Sequence, residues 1–212
     1  TGNPIRKFKI QNSLQFGGQA EFRIQNNDRL PIVYITGGSS GSHAINTLVE
    51  GCLAKLLEKY VVFHQTGDAQ EYHDYERLQA SKSSLKKSLQ ERYMMTKFVE
   101  PADIGTVLSY VDMVVSRSGI NTVTELLCFG KPAILIPLSF SQRNEQIKNA
   151  LFLQNLGLAE VVSQEKLTSD LLFSLIVQMI AKIEGYKKHA QIAQTMLIKG
   201  AAQNIIEVVK SI

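Results

Sequence analysis

A chain of 212 residues with 44% hydrophobic side chains can bury one sizeable core, which sets the expectation of one domain with appendages and excludes a disordered chain. Lys and Arg number 23 against 19 Asp and Glu, and the densest cationic run (Lys82, Lys86, Lys87, Arg92) reads as a solvated helix face, not as a nucleic-acid surface. A membrane span needs about 18 or more uncharged apolar residues, whereas the most apolar stretch, 167–183, is broken by Ser169, Asp170, Ser174, Gln178 and Lys182 and reads as an amphipathic helix.

In chain order, the first residue is Thr1, with no signal-peptide pattern behind it, so the chain is expected to start inside a longer protein. Residues 1–30, with Gly17, Gly18, Asn26, Asn27 and Asp28, read as a connector with room for one short helix. Apolar strands are expected at 32–35, 61–64, 95–99, 113–115, 133–137 and 159–162. Helical patterns fall at 42–59, 69–89, 102–110, 120–129, 142–156, 169–183 and 200–212. Short strands alternating with helices predict an α/β domain over 31–212, a Rossmann-like doubly wound parallel sheet whose ligands sit beyond the carboxyl ends of its strands. Cys52 and Cys128 both fall in helices and make neither a disulfide framework nor a zinc site, which fits a reducing cytoplasm.

Two strand-to-helix loops carry the chemistry. The first is GGSSGS at 37–42, where glycines let the backbone approach a ligand closely, serine hydroxyls add donors, and the following helix presents the positive end of its dipole. It lacks the lysine of a P-loop and the spacing of the dinucleotide fingerprint. The second is SRSGINTVTE at 116–125, with Ser118 expected to cap the helix and Gly119 to allow close approach. Glu125 lies about two turns into that helix, too far in to serve the dipole. A carboxylate there suits the paired hydroxyls of a ribose, and the alternative is an ordinary ion pair with Lys131. No Asp-X-Asp motif or His/Cys cluster with ligand spacing occurs, so no metal or other cofactor is expected. His64 ends a core strand and is expected to pack there, not to act as a base; His43, His73 and His189 read as surface or packing residues.

With these loops the chain resembles the C-terminal half of the MurG glycosyltransferases over nearly its whole length. The resemblance is carried by TGNPIR (1–6), GGSSGS (37–42), HQTG (64–67), KFV (97–99), SRSGINTVTE (116–125), GKPAILIPL (130–138) and NEQIKNA (144–150). It implies the C-terminal domain of a GT-B fold and transfer of N-acetylglucosamine from UDP-GlcNAc to a lipid-linked muramyl-pentapeptide in peptidoglycan synthesis. On this resemblance Ser39, Ser40, Gly41 and the helix start near Ser118, Gly119 and Thr122 meet the diphosphate. Val99 meets the uracil edge through its backbone, Glu125 the ribose, and Glu145 and Gln146 the sugar hydroxyls. Arg6 would lie near the interdomain cleft and Arg117 close to the nucleotide, in a binding or a structural role.

The resemblance further implies that the catalytic base and the lipid-acceptor surface belong to an N-terminal domain toward which the C-terminal helices pack, so that no catalytic residue lies in this chain. The implied setting is the cytoplasm or the cytoplasmic face of the inner membrane, with a peripheral membrane surface open as a partner. Glu145-Gln146 departs from the family's usual pair of amides or His-Gln. That departure keeps open a glycolipid synthase using UDP-glucose or UDP-galactose, and a donor-binding subunit without its own base stands as a separate alternative.

Overall fold

The computed structural model describes residues 14–16, 19–22, 30–138 and 144–194. Its centre is a six-stranded, all-parallel sheet made of β3 (Ile32–Thr36), β4 (Val61–Gln65), β5 (Tyr93–Thr96), β6 (Met113–Ser116), β7 (Ala133–Leu135) and β8 (Ala159–Val161). The strands lie in the order β5-β4-β3-β6-β7-β8. Strands buried on both faces read as continuous apolar runs, and β3 (IVYIT) is buried at all five positions.

Alternate side chains enter two cores, because successive residues of a strand face opposite sides. Val33, Ile35, Met113 and Val115 join one core, packed by α1 (His43–Lys59), α2 (Asp74–Ser83) and α7 (Ser169–Ala181). Ile32, Tyr34 and Val114 join the other, packed by α4 (Ile104–Tyr110), α5 (Ile120–Phe129), α6 (Glu145–Asn155) and α8 (Ile183–Gln194). This is the doubly wound arrangement expected from the sequence.

Chain order runs outward from β3 through β4 to β5, then crosses back to β6 on the other side of β3. The crevice between β3 and β6 is therefore the topological switch point, where open α/β sheets take their ligands. Thr36 and Ser116 are paired in register, so the loops leaving these two strands start side by side.

Four expectations need correction. Among the described residues of the 1–30 connector, β1 (Leu14–Phe16) pairs antiparallel with β2 (Gln19–Phe22), two strands not expected there; Gly17-Gly18 between two extended segments is a hairpin signal. The helix expected over 69–89 is two, α2 and a single turn α3 (Lys87–Gln90), because the serines of SKSSLKKS compete with the ladder: Ser84 Oγ donates to the Ser81 carbonyl and Gln90 Nε2 to that of Leu85. Strand β5 ends at Thr96, which leaves Val99 in the loop beyond it. Helix α8 was not expected from the sequence, since the segment is polar on average and its apolar face is built from the small Ala190 and Ala193 with Ile183 and Tyr186 beside them. The helix expected at 200–212 lies outside the described residues.

Candidate functional site

A cleft of about 940 Å³ opens at the carboxyl end of β3 and β6, lined by both glycine loops and by the start of α5. The first loop is a tight turn in which the Gly41 amide donates to the Gly38 carbonyl at 3.1 Å and the Gly38 amide to Thr36 Oγ1 at 3.0 Å. Gly38 and Gly41 have φ of +87° and +79°, the left-handed region that glycine alone enters without strain. Gly41 is also enclosed: a Cβ there would stand 2.1 Å from the Thr66 carbonyl oxygen. Ser42 then caps α1, its Oγ accepting from the Ile45 amide.

The second loop departs from expectation at its cap. Gly119, not Ser118, is the N-cap of α5. Ser118 is fully buried; its Oγ donates to the Gln146 carbonyl at 2.7 Å and its own carbonyl accepts from Asn149 Nδ2, so it ties α5 to α6 and does not face the cleft. Gly119 has nothing within 4 Å of where its Cβ would be, and it borders the cleft. No left-handed φ and no protein neighbour demands a glycine here.

Arg117 joins the two loops. At 8% exposure its guanidinium donates to the Ile136 carbonyl (2.9 Å), to Ser42 Oγ (2.8 Å) and to Gln164 Oε1 (2.6 Å). All three acceptors are neutral, and Arg117 has no carboxylate partner among the described residues. Desolvation pushes its pKa below the ordinary arginine value. The result is a buried positive charge on the cleft wall, between two helix starts, and a ligand anion is the group that would offset its burial cost.

The structure brings Ser39, Ser40, Gly41, Val99, Arg117, Gly119, Thr122, Glu125 and Gln146 to the lining of this one cleft. Glu145 is exposed and is not part of it, and Arg6 lies outside the described residues. Lys131, considered as a partner for Glu125, donates its Nζ to the Val111 carbonyl. Residues given no role from the sequence complete the walls: Tyr34 and Gln65 from the strands, Ile104 and Leu108 from α4, and Gln164 from a turn far along the chain.

His64 is wholly buried and packs as expected. Asn46, itself buried, gives its Nδ2 protons to the Thr66 carbonyl (2.9 Å) and Asp74 Oδ2 (2.7 Å), so its Oδ1 must accept from His64 Nε2 (3.0 Å). That leaves His64 Nδ1 to accept from the Tyr93 hydroxyl at 2.8 Å. Desolvation drives its pKa down to about 3, opposed by the charge of Asp74, and the ring is neutral. His43, read as a surface or packing residue, has its Nδ1 2.8 Å from Asp74 Oδ1, and its ring stacks on Tyr72 at the cleft mouth. Among the described residues no group of three or more His, Cys, Asp or Glu side chains could hold a metal ion.

Comparison with known proteins agrees with this geometry. The chain is 33% identical over 220 residues to the UDP-N-acetylglucosamine--N-acetylmuramyl-(pentapeptide) pyrophosphoryl-undecaprenol N-acetylglucosamine transferase of Treponema denticola, covering 100% of this chain and 54% of that protein. The transferase of the same name from Clostridium kluyveri is 31% identical over 215 residues, again with 54% of its length covered. The chain therefore spans about half the length of the curated relatives it matches. Among solved structures, MurG of Acinetobacter baumannii superposes with a TM-score of 0.71 at 27% identity, covering 89% of this chain and 51% of that one. The fold is that of the Rossmann-like C-terminal domain of GT-B glycosyltransferases. Residues 32–205 match the glycosyltransferase family 28 C-terminal domain, and the chain belongs to that family.

Proposed function

We propose that the chain binds UDP-N-acetylglucosamine in the cleft between its two glycine loops, as the donor half of a transferase that moves N-acetylglucosamine onto a lipid-linked muramyl-pentapeptide. The observation that carries this reading is Arg117, a buried cation with only neutral partners, held between the starts of α1 and α5. A diphosphate seated there is stabilised by two sets of helix-start amides and by the guanidinium's field. The same donors would stabilise the charge that develops on UDP as it leaves, without a metal ion. Glu125 is assigned to the ribose hydroxyls, the Val99 backbone to the uracil edge, and Gln146 to the sugar.

The acceptor surface and the base that deprotonates its hydroxyl belong, on this reading, to the half of the relatives that this chain does not span, so the chain alone binds donor and transfers little or none. No helix among the described residues is long and apolar enough to cross a membrane. The proposed setting is peripheral, on the cytoplasmic face, where a lipid-linked acceptor would be met. Glu145, the residue that kept a UDP-glucose or UDP-galactose donor open, stands outside the cleft lining, so donor choice falls to measurement.

Calorimetric titration of the 212-residue chain with UDP-GlcNAc, UDP-glucose and UMP tests the reading. Expected is saturable binding, tightest for UDP-GlcNAc, with Glu125→Ala weakening it by about tenfold to a hundredfold, the range for hydrogen bonds to a charged group. A folded chain that binds no uridine nucleotide sinks it.

A further inference from the structure

We infer that Gln65 and Tyr34, two buried strand residues, are positioning residues that aim the Ser39 backbone amide into the cleft; this rests on the donor-binding reading above. Both side chains are only 3% exposed, and both border the cleft floor. The Tyr34 hydroxyl donates to Gln65 Oε1 at 2.7 Å. With its oxygen so occupied, Gln65 turns its Nε2 to the Gly38 carbonyl, which accepts at 3.0 Å. That carbonyl also accepts from the Gly41 amide at 3.1 Å.

The consequence follows from peptide geometry. In a planar trans peptide the carbonyl and the next N–H point in opposite directions. The Gly38 carbonyl is drawn toward β4 by Gln65, which ends that strand, and Gly41 packs on the same side against Thr66 and Gly67. The Ser39 N–H therefore points the other way, toward β6, the strand that pairs with β3 on its opposite edge and feeds the loop of Arg117 and Gly119.

Gly38 has a φ of +87°, and within the loop its carbonyl is held by the Gly41 amide, so a second donor from outside the loop fixes this peptide more firmly. Gln65 supplies that donor: the Gly38 carbonyl can only accept, which turns the amide nitrogen to the loop, and the Tyr34 hydroxyl anchors the oxygen at the other end. Without the Tyr34 hydroxyl the buried Gln65 Oε1 loses its donor and the side chain is held at one end only, which loosens its grip on the loop. A serine-glycine loop by itself thus makes a turn; the pair beneath it makes the turn a donor for an anion.

The test compares two ligands that share a base and a ribose and differ in the diphosphate. Gln65→Met keeps the volume and removes the donor; Tyr34→Phe removes one hydroxyl. UDP affinity should fall about tenfold in Gln65→Met and about threefold in Tyr34→Phe, losses of the size expected when one buried hydrogen bond is removed. Uridine affinity should stay within about twofold of wild type, since the base and ribose contacts lie on other residues.

In amide NMR spectra the Ser39 resonance of the wild-type chain should shift on UDP and not on uridine, and this difference should shrink in both variants. If Gln65→Met does not fold, Tyr34→Phe, the milder change, carries the comparison. Equal losses for UDP and uridine would reduce the pair to a packing role and overturn the inference, as would unchanged UDP binding in both variants. A wild-type chain that binds no uridine nucleotide overturns the functional reading and this inference together; UDP binding with unaffected variants overturns this inference alone.

Discussion

Two glycines that look alike in the sequence sit in different physical situations. Gly41 has a left-handed φ, and an added Cβ would overlap the Thr66 carbonyl, a backbone atom that cannot swing away. Gly41→Ala should therefore cost at least about 2 kcal/mol of stability, seen as a lowered denaturation midpoint. Gly119 has open space where its Cβ would go, so Gly119→Ala should fold with stability within about 1 kcal/mol of wild type, most of it the poorer N-cap. Its cost should appear in binding instead, where a methyl group between backbone and diphosphate lowers UDP affinity by about tenfold or more in the same titration. Normal UDP binding by Gly119→Ala would mean that the ligand does not approach this backbone.

Elements are joined at the site by buried polar groups, and this makes stability depend on pH. The Asn46 side chain links α1 to the end of β4 and to the first turn of α2, while His64 passes the chain of hydrogen bonds on to Tyr93 of β5. His64 is neutral when folded, with a pKa near 3, against an ordinary value of 6.5 in the unfolded chain. Between these values the unfolded chain binds a proton that the folded chain does not, so acid favours unfolding. The His64 contribution is fully present above pH 6.5 and is lost as pH falls toward 3, with a slope of at most about 1.4 kcal/mol per pH unit. Urea denaturation at pH 7, 6, 5 and 4 should show this slope, and His64→Gln should flatten it. A slope unchanged by the substitution would assign the effect to other groups.

At the scale of the whole molecule, the buried Arg117 guanidinium on the cleft wall has only neutral partners among the described residues, so an anionic ligand and the fold should stabilise one another. With UDP at a hundred times its Kd, mass action adds about 2.7 kcal/mol. For a chain of this size that raises Tm by about 5–10 °C. Scanning calorimetry checks it, and added EDTA should leave the increment unchanged if the diphosphate is held by Arg117 and the helix starts alone. An increment abolished by EDTA would show that a metal ion is needed and would overturn the metal-free reading of the site.

Local chemistry was enough for the sequence to reveal the alternation of strands and helices, the loops at 37–42 and 116–119, and Glu125 on the helix that follows, because apolar periodicity and glycine placement act over a few neighbouring residues. It also misled locally: Ser118 looked like a helix cap, yet tertiary packing turned its hydroxyl to α6, and the serine-rich end of α2 broke a helix that its apolar pattern would have continued. Strand order was decided only by the folded chain, and with it everything that depends on which loops adjoin. Arg117 reaches Ser42 across 75 positions and Gln164 across 47, and Gln65 meets Tyr34 across 31. No spacing in the sequence encodes such meetings, because they follow from the strand order that sets β4 on one side of β3 and β6 on the other. The residues were written locally; the cleft between them, with Arg117 on its wall, exists only once the strands have assembled in that order.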